Sequence, residues 1–187
     1  MEWIFGIIEP LLVREKTTHI GDGLGLRLDD EIMDRLRESF RQQVREALKT
    51  AATDAIGAGY SPQDTKLATF AVVGFLDESI LNAQNPLFAD WPRKPLQEEL
   101  FGTHMAGEVF FQNLRSLLSR EDSGDLADLL EVYYLCVLLG YRGRYSTGGG
   151  ELHSILSATA DKIRRICLVS QKAIGGLGPG PAAAGLR

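Results

Sequence analysis

The chain has 187 residues, of which 44% are hydrophobic, and a formal net charge of -5. It is long enough to bury a sizeable core, as one compact domain or two small lobes, and too apolar for general disorder. Its acidic and basic residues are interspersed along predicted helices, which argues against the basic stripe that nucleic-acid binding requires.

The N-terminal segment is apolar from Trp3 to Val13, but it has Glu2 where a signal peptide carries positive charge, and no small-residue cleavage site follows. We therefore expect it to stay attached. A membrane-surface anchor is a second interpretation. A packed core segment is favoured, because the stretch lacks a basic face and Pro10 would interrupt a helix. No run in the chain reaches the roughly 20 apolar residues that span a bilayer.

The first half of the chain predicts two long helices. After a glycine-rich loop at 21–25, Asp29-Asp30 offers a cap for an amphipathic helix whose apolar residues recur from Ile32 to Ile56, and glycines end it. Ser61 and Pro62 then form a helix start, because serine caps and proline suits the first turn. The stretch from Leu67 to Leu81 is apolar on most faces, which predicts a central helix surrounded by others.

The second half predicts an irregular connection and further helices. Asn85-Pro86 and Trp91-Pro92 bracket the connection, and a short helix from Leu96 to Phe101 follows. Apolar stripes then begin at Gly107, at Leu126 and, after the glycines at 148–150, at Leu152, the last of these running to Val169. All periodic stretches repeat near 3.6 residues and none resembles a hairpin, so the predicted fold class is all-α.

Two charged motifs lie inside hydrophobic elements, where an unpaired charge is costly. Asp77 and Glu78 end an apolar helix, and Arg142 and Arg144 follow another, beside Tyr145. We expect the motifs to meet. In one interpretation an arginine pairs with whichever carboxylate is buried, and in the other the motifs form a partner-binding surface. The two are compatible. Adjacent helical residues point about 100° apart, so the two carboxylates cannot share one acid/base site.

The sequence predicts no catalytic, cofactor-binding or metal-ligating residues. The histidines are scattered, and neither glycine cluster has a phosphate-loop context. Cys136 and Cys167 lack C-x-x-C spacing, which predicts two buried thiols. Asp30 and Asp34 are better explained as charges that complement a helix start. The alternative enzyme hypothesis is a metal-dependent helical bundle that uses these two residues with Asp77 or Glu78.

Several short motifs, in order and spacing, carry a resemblance to a known family. They are Phe75-Leu76-Asp77-Glu78, Trp91-Pro92, Leu100-Phe101-Gly102, Ala106 to Phe111, and Glu131 to Tyr145. In this arrangement the chain resembles the TssL/DotU (IcmH-like) family, inner-membrane subunits of bacterial type VI and type IVB secretion systems. The resemblance covers about Leu67 to Tyr145, which is near half of the chain.

The resemblance implies a hook-like arrangement of two small helix bundles with a cleft between them, which the acidic pair Asp77 and Glu78 faces. It implies about seven or eight helices in a cytoplasmic domain at residues 1–172. It implies a non-enzymatic scaffold at the cytoplasmic face of the inner membrane, without small-molecule or nucleic-acid ligands. The implied partners are a TssM/IcmF-like inner-membrane protein and baseplate subunits. The implied binding residues are Asp77, Glu78, Arg142, Arg144 and Tyr145. A type IVB DotU homologue that stabilises an IcmF-like partner is the alternative.

Family members usually continue into a C-terminal transmembrane helix, through which they are thought to dimerise. In this chain the last helix is followed by a tail at 173–187 that is rich in glycine, proline and alanine, which predicts disorder. We expect the natural protein to continue into the membrane helix beyond this sequence, and we expect a homodimer, if formed, to use that helix.

Overall fold

The computed structural model describes residues 30–145 and 150–175, which contain helices and turns but no strand. The helices are α1 (Asp30–Gly57), α2 (Pro62–Ala83), α3 (Leu96–Phe101), α4 (Ala106–Leu118), α5 (Gly124–Leu138) and α6 (Gly150–Gly175). Short 3₁₀ turns lie at Pro86–Phe88, Trp91–Arg93 and Gly143–Tyr145. The all-α prediction is confirmed. These ranges hold six α-helices and three 3₁₀ turns, where the sequence predicted seven or eight helices.

Four predictions fall on residues outside the described ranges. They concern the apolar N-terminal segment, the glycine-rich loop at 21–25, the first two glycines of 148–150, and the tail from residue 176 onward. Helix α6 runs to Gly175, three residues past the predicted domain boundary at 172. The division into a domain and a tail stays a prediction.

Helix α2 is the central element, as its apolar sequence predicts. It starts where expected, with Ser61 accepting a hydrogen bond from the Asp64 N–H at 3.0 Å and Pro62 in the first turn. All seven residues from Ala71 to Asp77 are buried, so no face of this stretch reaches solvent. The helix packs against α1, α3, α4 and α5. Consequently, a side chain at its C-terminal half can touch several other elements at once.

The core around α2 is one continuous cluster of buried side chains with an aromatic centre. The Phe110 ring lies 4.7 Å from Tyr133 and 4.5 Å from Tyr141, measured between centroids, and 4.9 Å from Phe111. The Tyr133 hydroxyl donates to the Leu67 carbonyl of α2 at 3.1 Å. These rings fix α4 and α5 against α2, and aromatic pairs of this geometry stabilise beyond their buried area.

Two predicted core residues of α6 are instead exposed. Cys136 is buried, and burial raises the pKa of its thiol to about 12, but Cys167 is exposed, so the prediction for that thiol is wrong. Val169, expected on the apolar stripe, is exposed as well. The physical reason is that the stripe stops being covered after Ile166, which is the last buried residue of the helix whose side chain is described.

Candidate partner-binding site

Asp77 is buried and holds a segment that begins 14 residues further along the chain. Only 1% of the residue is exposed. Its Oδ1 accepts hydrogen bonds from Trp91 Nε1 at 2.8 Å and from the Leu96 N–H at 2.9 Å, and its Oδ2 accepts from the Gln97 N–H at 2.8 Å. The carboxylate therefore caps the N-terminus of α3, where free N–H groups and the helix dipole favour an anion.

Burial raises the pKa of Asp77 above its usual value, while the three N–H donors and the nearby Arg41 charge oppose that rise. Arg41 contacts the same segment that Asp77 holds. Its guanidinium lies 3.9 Å from the centroid of the Trp91 ring, and its Nη2 donates to the Lys94 carbonyl at 2.6 Å. A carboxylate enclosed in this way cannot reach a substrate or a partner surface. Asp77 can affect recognition only by positioning the segment at 91–97.

Glu78 points to a different segment, as the 100° separation of adjacent helical residues requires. Its Oε1 accepts from the Arg142 N–H and its Oε2 from the Gly143 N–H, both at 2.7 Å. These two bonds join the C-terminal part of α2 to the chain just beyond the end of α5. The two neighbouring acids thus hold two separate loops against one helix.

The predicted ion pair between these carboxylates and the arginines is wrong in its chemistry. Glu78 and Arg142 do meet, but through the backbone of Arg142, whose guanidinium instead donates to the carbonyls of Val137 and Tyr141 at 3.2 and 3.3 Å. An arginine near the C-terminal carbonyls of a helix is favoured by the helix dipole. Asp77 forms no ion pair with either arginine in the described residues, since indole and backbone donors occupy it.

Arg144 and Tyr145 face a polar cluster on the other side of the same turn. Arg144 Nη1 pairs with Glu108 Oε1 at 2.7 Å, and its guanidinium lies 4.9 Å from the Tyr145 ring centroid. The Tyr145 hydroxyl donates to Glu151 Oε1 at 2.7 Å and accepts from Arg115 Nη2 at 2.5 Å. The Tyr145 hydrogen bond, together with the Arg115 and Arg144 charges, holds the pKa of Glu151 below its usual range.

The turn at 143–145 also needs two glycines in contact. Gly143 has a φ of +49°, and a Cβ atom on it would lie 2.9 Å from the Gly107 carbonyl oxygen. A Cβ on Gly107 would lie 3.2 Å from the Gly143 Cα. Helix α4 and the turn therefore touch backbone to backbone, an approach that only glycine permits. Side chains from α2, α4 and α6 together hold this turn.

Exposed apolar side chains lie close in sequence to Glu78 and to the two N–H groups that it binds. Leu138 and Leu139, at the end of α5, are 57% and 48% exposed, and Leu81 lies one turn beyond Glu78 with 41% exposure. The Arg142 side chain is exposed beside them in sequence. We call these four residues, Leu81, Leu138, Leu139 and Arg142, the latch surface. Arginine is enriched at protein interfaces, and the centre of an interface is more apolar than the rest of the protein surface.

Two grooves lie elsewhere on the molecule. One is lined by residues from Ala55 to Val132, and the other by residues from Gln63 to Asn113, including Phe70 and Phe101. Neither is lined by the five predicted binding residues, so the expected cleft beside Asp77 and Glu78 is not one of these grooves.

Of the acids considered for metal chemistry, Asp34 pairs with Arg37 at 2.8 Å, whereas the side chain of Asp30 lies outside what the structure describes. The part of the chain that the structure describes holds no group of three or more histidine, cysteine, aspartate or glutamate side chains that could bind a metal ion. It also contains no helix with the length and hydrophobicity needed to cross a membrane.

A family model for the type VI secretion system protein DotU matches residues 23–183. The chain belongs to the DotU family. The resemblance drawn from the sequence is thereby confirmed, and with it the interpretation of the chain as a subunit of the type VI secretion membrane complex, a structural component at the inner membrane. The family description names type VI, which favours it over the type IVB alternative.

Solved structures are similar to this DotU protein along its length. The cytoplasmic domain of TssL from Acinetobacter baumannii is 30% identical, with a TM-score of 0.63, and the match covers 70% of this chain and 83% of that one. A crystal structure of type VI SciP/TssL from enteroaggregative Escherichia coli 042 is 20% identical, with a TM-score of 0.64 and coverage of 100% and 97%; it supports the fold. No curated protein matches the chain.

Several residues that hold the turn at 143–145 were not predicted from the sequence. Glu108, Arg115 and Glu151 come from two helices, and only Glu108 belongs to a quoted motif. Arg115 does not replace an apolar residue of the α4 stripe, so the sequence pattern did not indicate a special role for it. The binding role of Asp77, Glu78, Arg142, Arg144 and Tyr145 stays a prediction.

Proposed function

We propose that this DotU protein is a non-enzymatic scaffold whose domain, at the cytoplasmic face of the inner membrane, docks a TssM-like inner-membrane protein and baseplate components. The latch surface makes the contact in this proposal. Homodimerisation, which the resemblance implies, is also part of the proposal. A scaffold needs a surface of fixed shape, and binding costs less free energy when that surface is already ordered.

The observation that supports the proposal most is the pair of 2.7 Å bonds from Glu78 to the Arg142 and Gly143 N–H groups. Charged acceptors make stronger hydrogen bonds than neutral ones. These two bonds order the backbone of Arg142 and Gly143, three residues beyond exposed Leu139 in the chain. Both acids of the motif have their oxygens committed to N–H donors, which suits a structural role better than acid/base chemistry.

The proposal revises the roles of the five predicted residues. Arg142 offers its side chain to a partner, whereas Glu78 acts through the backbone that it orders. Asp77 is a positioning residue for the segment at 91–97. Arg144 and Tyr145 fix the turn from the side of α4 and α6, through Glu108 and Glu151.

The test is co-purification of the TssM-like protein and baseplate subunits with variants of the membrane-inserted full-length protein. We expect Arg142→Glu to weaken capture about tenfold, the effect of losing about 1.4 kcal/mol at an interface arginine. Leu139→Ser should weaken it without a change of charge. The matched control is Arg164→Glu, which reverses an exposed arginine on α6 and should leave capture unchanged.

Each variant must first show helical circular dichroism and cooperative unfolding like those of the parent. If folded Arg142→Glu and Leu139→Ser proteins both capture the same partners at the parent level, the latch surface is not the docking site. Equal losses in Arg142→Glu and Arg164→Glu would show a nonspecific charge effect and would count against it as well.

A further inference from the structure

A groove on α2, far from the latch surface, has the features of a binding site. It lies between the C-terminal part of α1 and the first turns of α2 and α5, and its mouth is open to solvent. Its apolar lining consists of buried Ala55, Ala68, Leu129 and Val132. From Thr65 to Glu78 the helix rises about 20 Å, so this site and the latch surface are at opposite ends of α2.

The polar lining of the groove is acidic, and part of its charge has no partner in the described residues. Asp64 pairs with Arg120 at 2.6 Å, and Asp128 accepts a hydrogen bond from the Tyr60 hydroxyl at 2.6 Å. Asp125 and Glu131, however, form no ion pair or hydrogen bond through their carboxylates within residues 30–145 and 150–175. Burial and the charge of Asp128 raise the pKa of Glu131, and Asp128 raises the pKa of Tyr60 to about 12.

An independent observation comes from Thr65, which lines the same groove. The residue is only 6% exposed, and its hydroxyl has no hydrogen-bond partner. Other helical threonines satisfy themselves: Thr69 donates to the Thr65 carbonyl at 2.8 Å and Thr159 to the Ile155 carbonyl at 2.7 Å. A buried polar atom without a partner is unusual in a folded protein and calls for an explanation such as an absent ligand.

From this lining we propose that the groove binds an arginine side chain, flanked by apolar residues, from a segment of a partner protein. Beside the apolar lining, the Thr65 hydroxyl and the carboxylates of Asp125 and Glu131 offer acceptors, and the two carboxylates have no ion-pair partner within the described residues. A guanidinium carries five N–H donors and a permanent positive charge, and its methylene stem packs on apolar surface. A single guanidinium thus has enough N–H donors for all three groups.

This inference goes beyond the latch surface and needs the proposed function only in that the domain binds proteins. A failure of one does not imply failure of the other, because the latch surface is tested by capture of named partners and the groove by a peptide. Charge complementarity selects the occupant: within the described residues the groove has four acids, Asp64, Asp125, Asp128 and Glu131, against the one pairing cation Arg120.

The test is a titration of the isotope-labelled full chain, followed by amide chemical shifts, with the peptide acetyl-Ala-Leu-Arg-Leu-Ala-amide. The control peptide replaces arginine by citrulline, which keeps the shape and removes the charge. We expect saturable shifts at Thr65, Asp125 and Glu131 with the arginine peptide, and binding about tenfold weaker with citrulline. Raising the salt concentration should weaken the arginine peptide more than the citrulline peptide.

Variants separate this site from general attraction to an acidic protein. Glu131→Gln and Asp125→Asn should each weaken the arginine peptide several-fold, whereas Glu121→Gln, the same change at an exposed acid outside the groove, should not. Equal affinity for both peptides, equal effects of Glu121→Gln and Glu131→Gln, shifts confined to other residues, or no binding up to about 5 mM would each overturn the proposal.

Discussion

At the scale of single residues, Asp77 caps a helix that begins 19 residues further along the chain. Replacement by alanine would leave the Trp91 indole and the N–H groups of Leu96 and Gln97 without acceptors in a buried site. Because each such donor costs roughly 1 to 3 kcal/mol, we expect Asp77→Ala to lower the free energy of unfolding by about 3 to 5 kcal/mol. Urea denaturation followed by circular dichroism measures this.

A graded variant and a control sharpen this prediction. Asp77→Asn keeps an oxygen for Trp91 and Leu96, but turns an amide N–H₂ toward the Gln97 N–H, so its loss should be about 1 to 3 kcal/mol. Asp54→Ala removes an exposed acid of α1 and should change stability by less than about 0.5 kcal/mol. If Asp77→Ala were no more destabilised than Asp54→Ala, the capping role would be wrong.

At the scale of elements, the contact between α4 and the turn at 143–145 depends on a glycine. We expect Gly143→Ala to cost about 2 kcal/mol, because its φ of +49° is strained for alanine and the new Cβ meets the Gly107 carbonyl at 2.9 Å. Hydrogen exchange at the Arg142 and Gly143 amides should speed up as the bonds to Glu78 loosen.

Gly124→Ala is the matched control for this variant. Gly124 begins α5, has no neighbour within 4 Å of an added Cβ, and does not have a positive φ. Alanine there should leave stability unchanged or raise it slightly, since alanine favours helices. Equal stability and equal exchange in the Gly143→Ala and Gly124→Ala proteins would contradict the close contact.

At the scale of the whole molecule, Asp122 ties α6 to the loop that follows α4. It pairs with Arg165 at 2.9 Å and with Lys162 at 3.2 Å. The Lys162 ammonium also donates to the Leu118 and Arg120 carbonyls. The hydrogen bond from Arg165, with that from Lys162, lowers the pKa of Asp122 to about 2.

A depressed carboxyl pKa sets the sign of the pH dependence. The folded pKa lies below the unfolded one, so Asp122 contributes stability above about pH 4 that is lost as the pH falls toward 2. We expect the stability gap between the parent and Asp122→Asn, from urea unfolding at pH 7, 4 and 2.5, to shrink over that interval. A gap that stays constant or widens below pH 4 would contradict the ion pairs.

How far the sequence predicts the molecule differs between these scales. The helix start at Pro62 and the central position of α2 follow from capping residues and apolar periodicity, which are local. The partners of Asp77 and Glu78 did not follow, because they are an indole and backbone N–H groups of distant segments, and backbone groups carry no letter in a sequence. Arginines were predicted as the partners instead, because a charged side chain can be identified in a sequence.

The ends of apolar stripes and the grooves were also missed, for a related reason. Periodicity shows which face of α6 is apolar but not where its neighbours stop, so Val169 was placed in the core although it is exposed. The acids at positions 125, 128 and 131 recur every three residues and so share a face of α5, a signal that the sequence does contain. Their meeting with Thr65 depends on the packing of α2 against α5.

The central claim is that the latch surface, which includes Leu139 and Arg142, is the docking surface of this DotU protein. In this claim Glu78 orders the backbone next to it. Site-specific photo-crosslinking in the assembled membrane complex tests it directly, with the crosslinker at Leu139 and, as control, at exposed Ser157 of α6. We predict that position 139 crosslinks to the TssM-like protein or a baseplate subunit and that Glu78→Gln reduces this yield. Crosslinks from position 157 but none from position 139 would contradict the account.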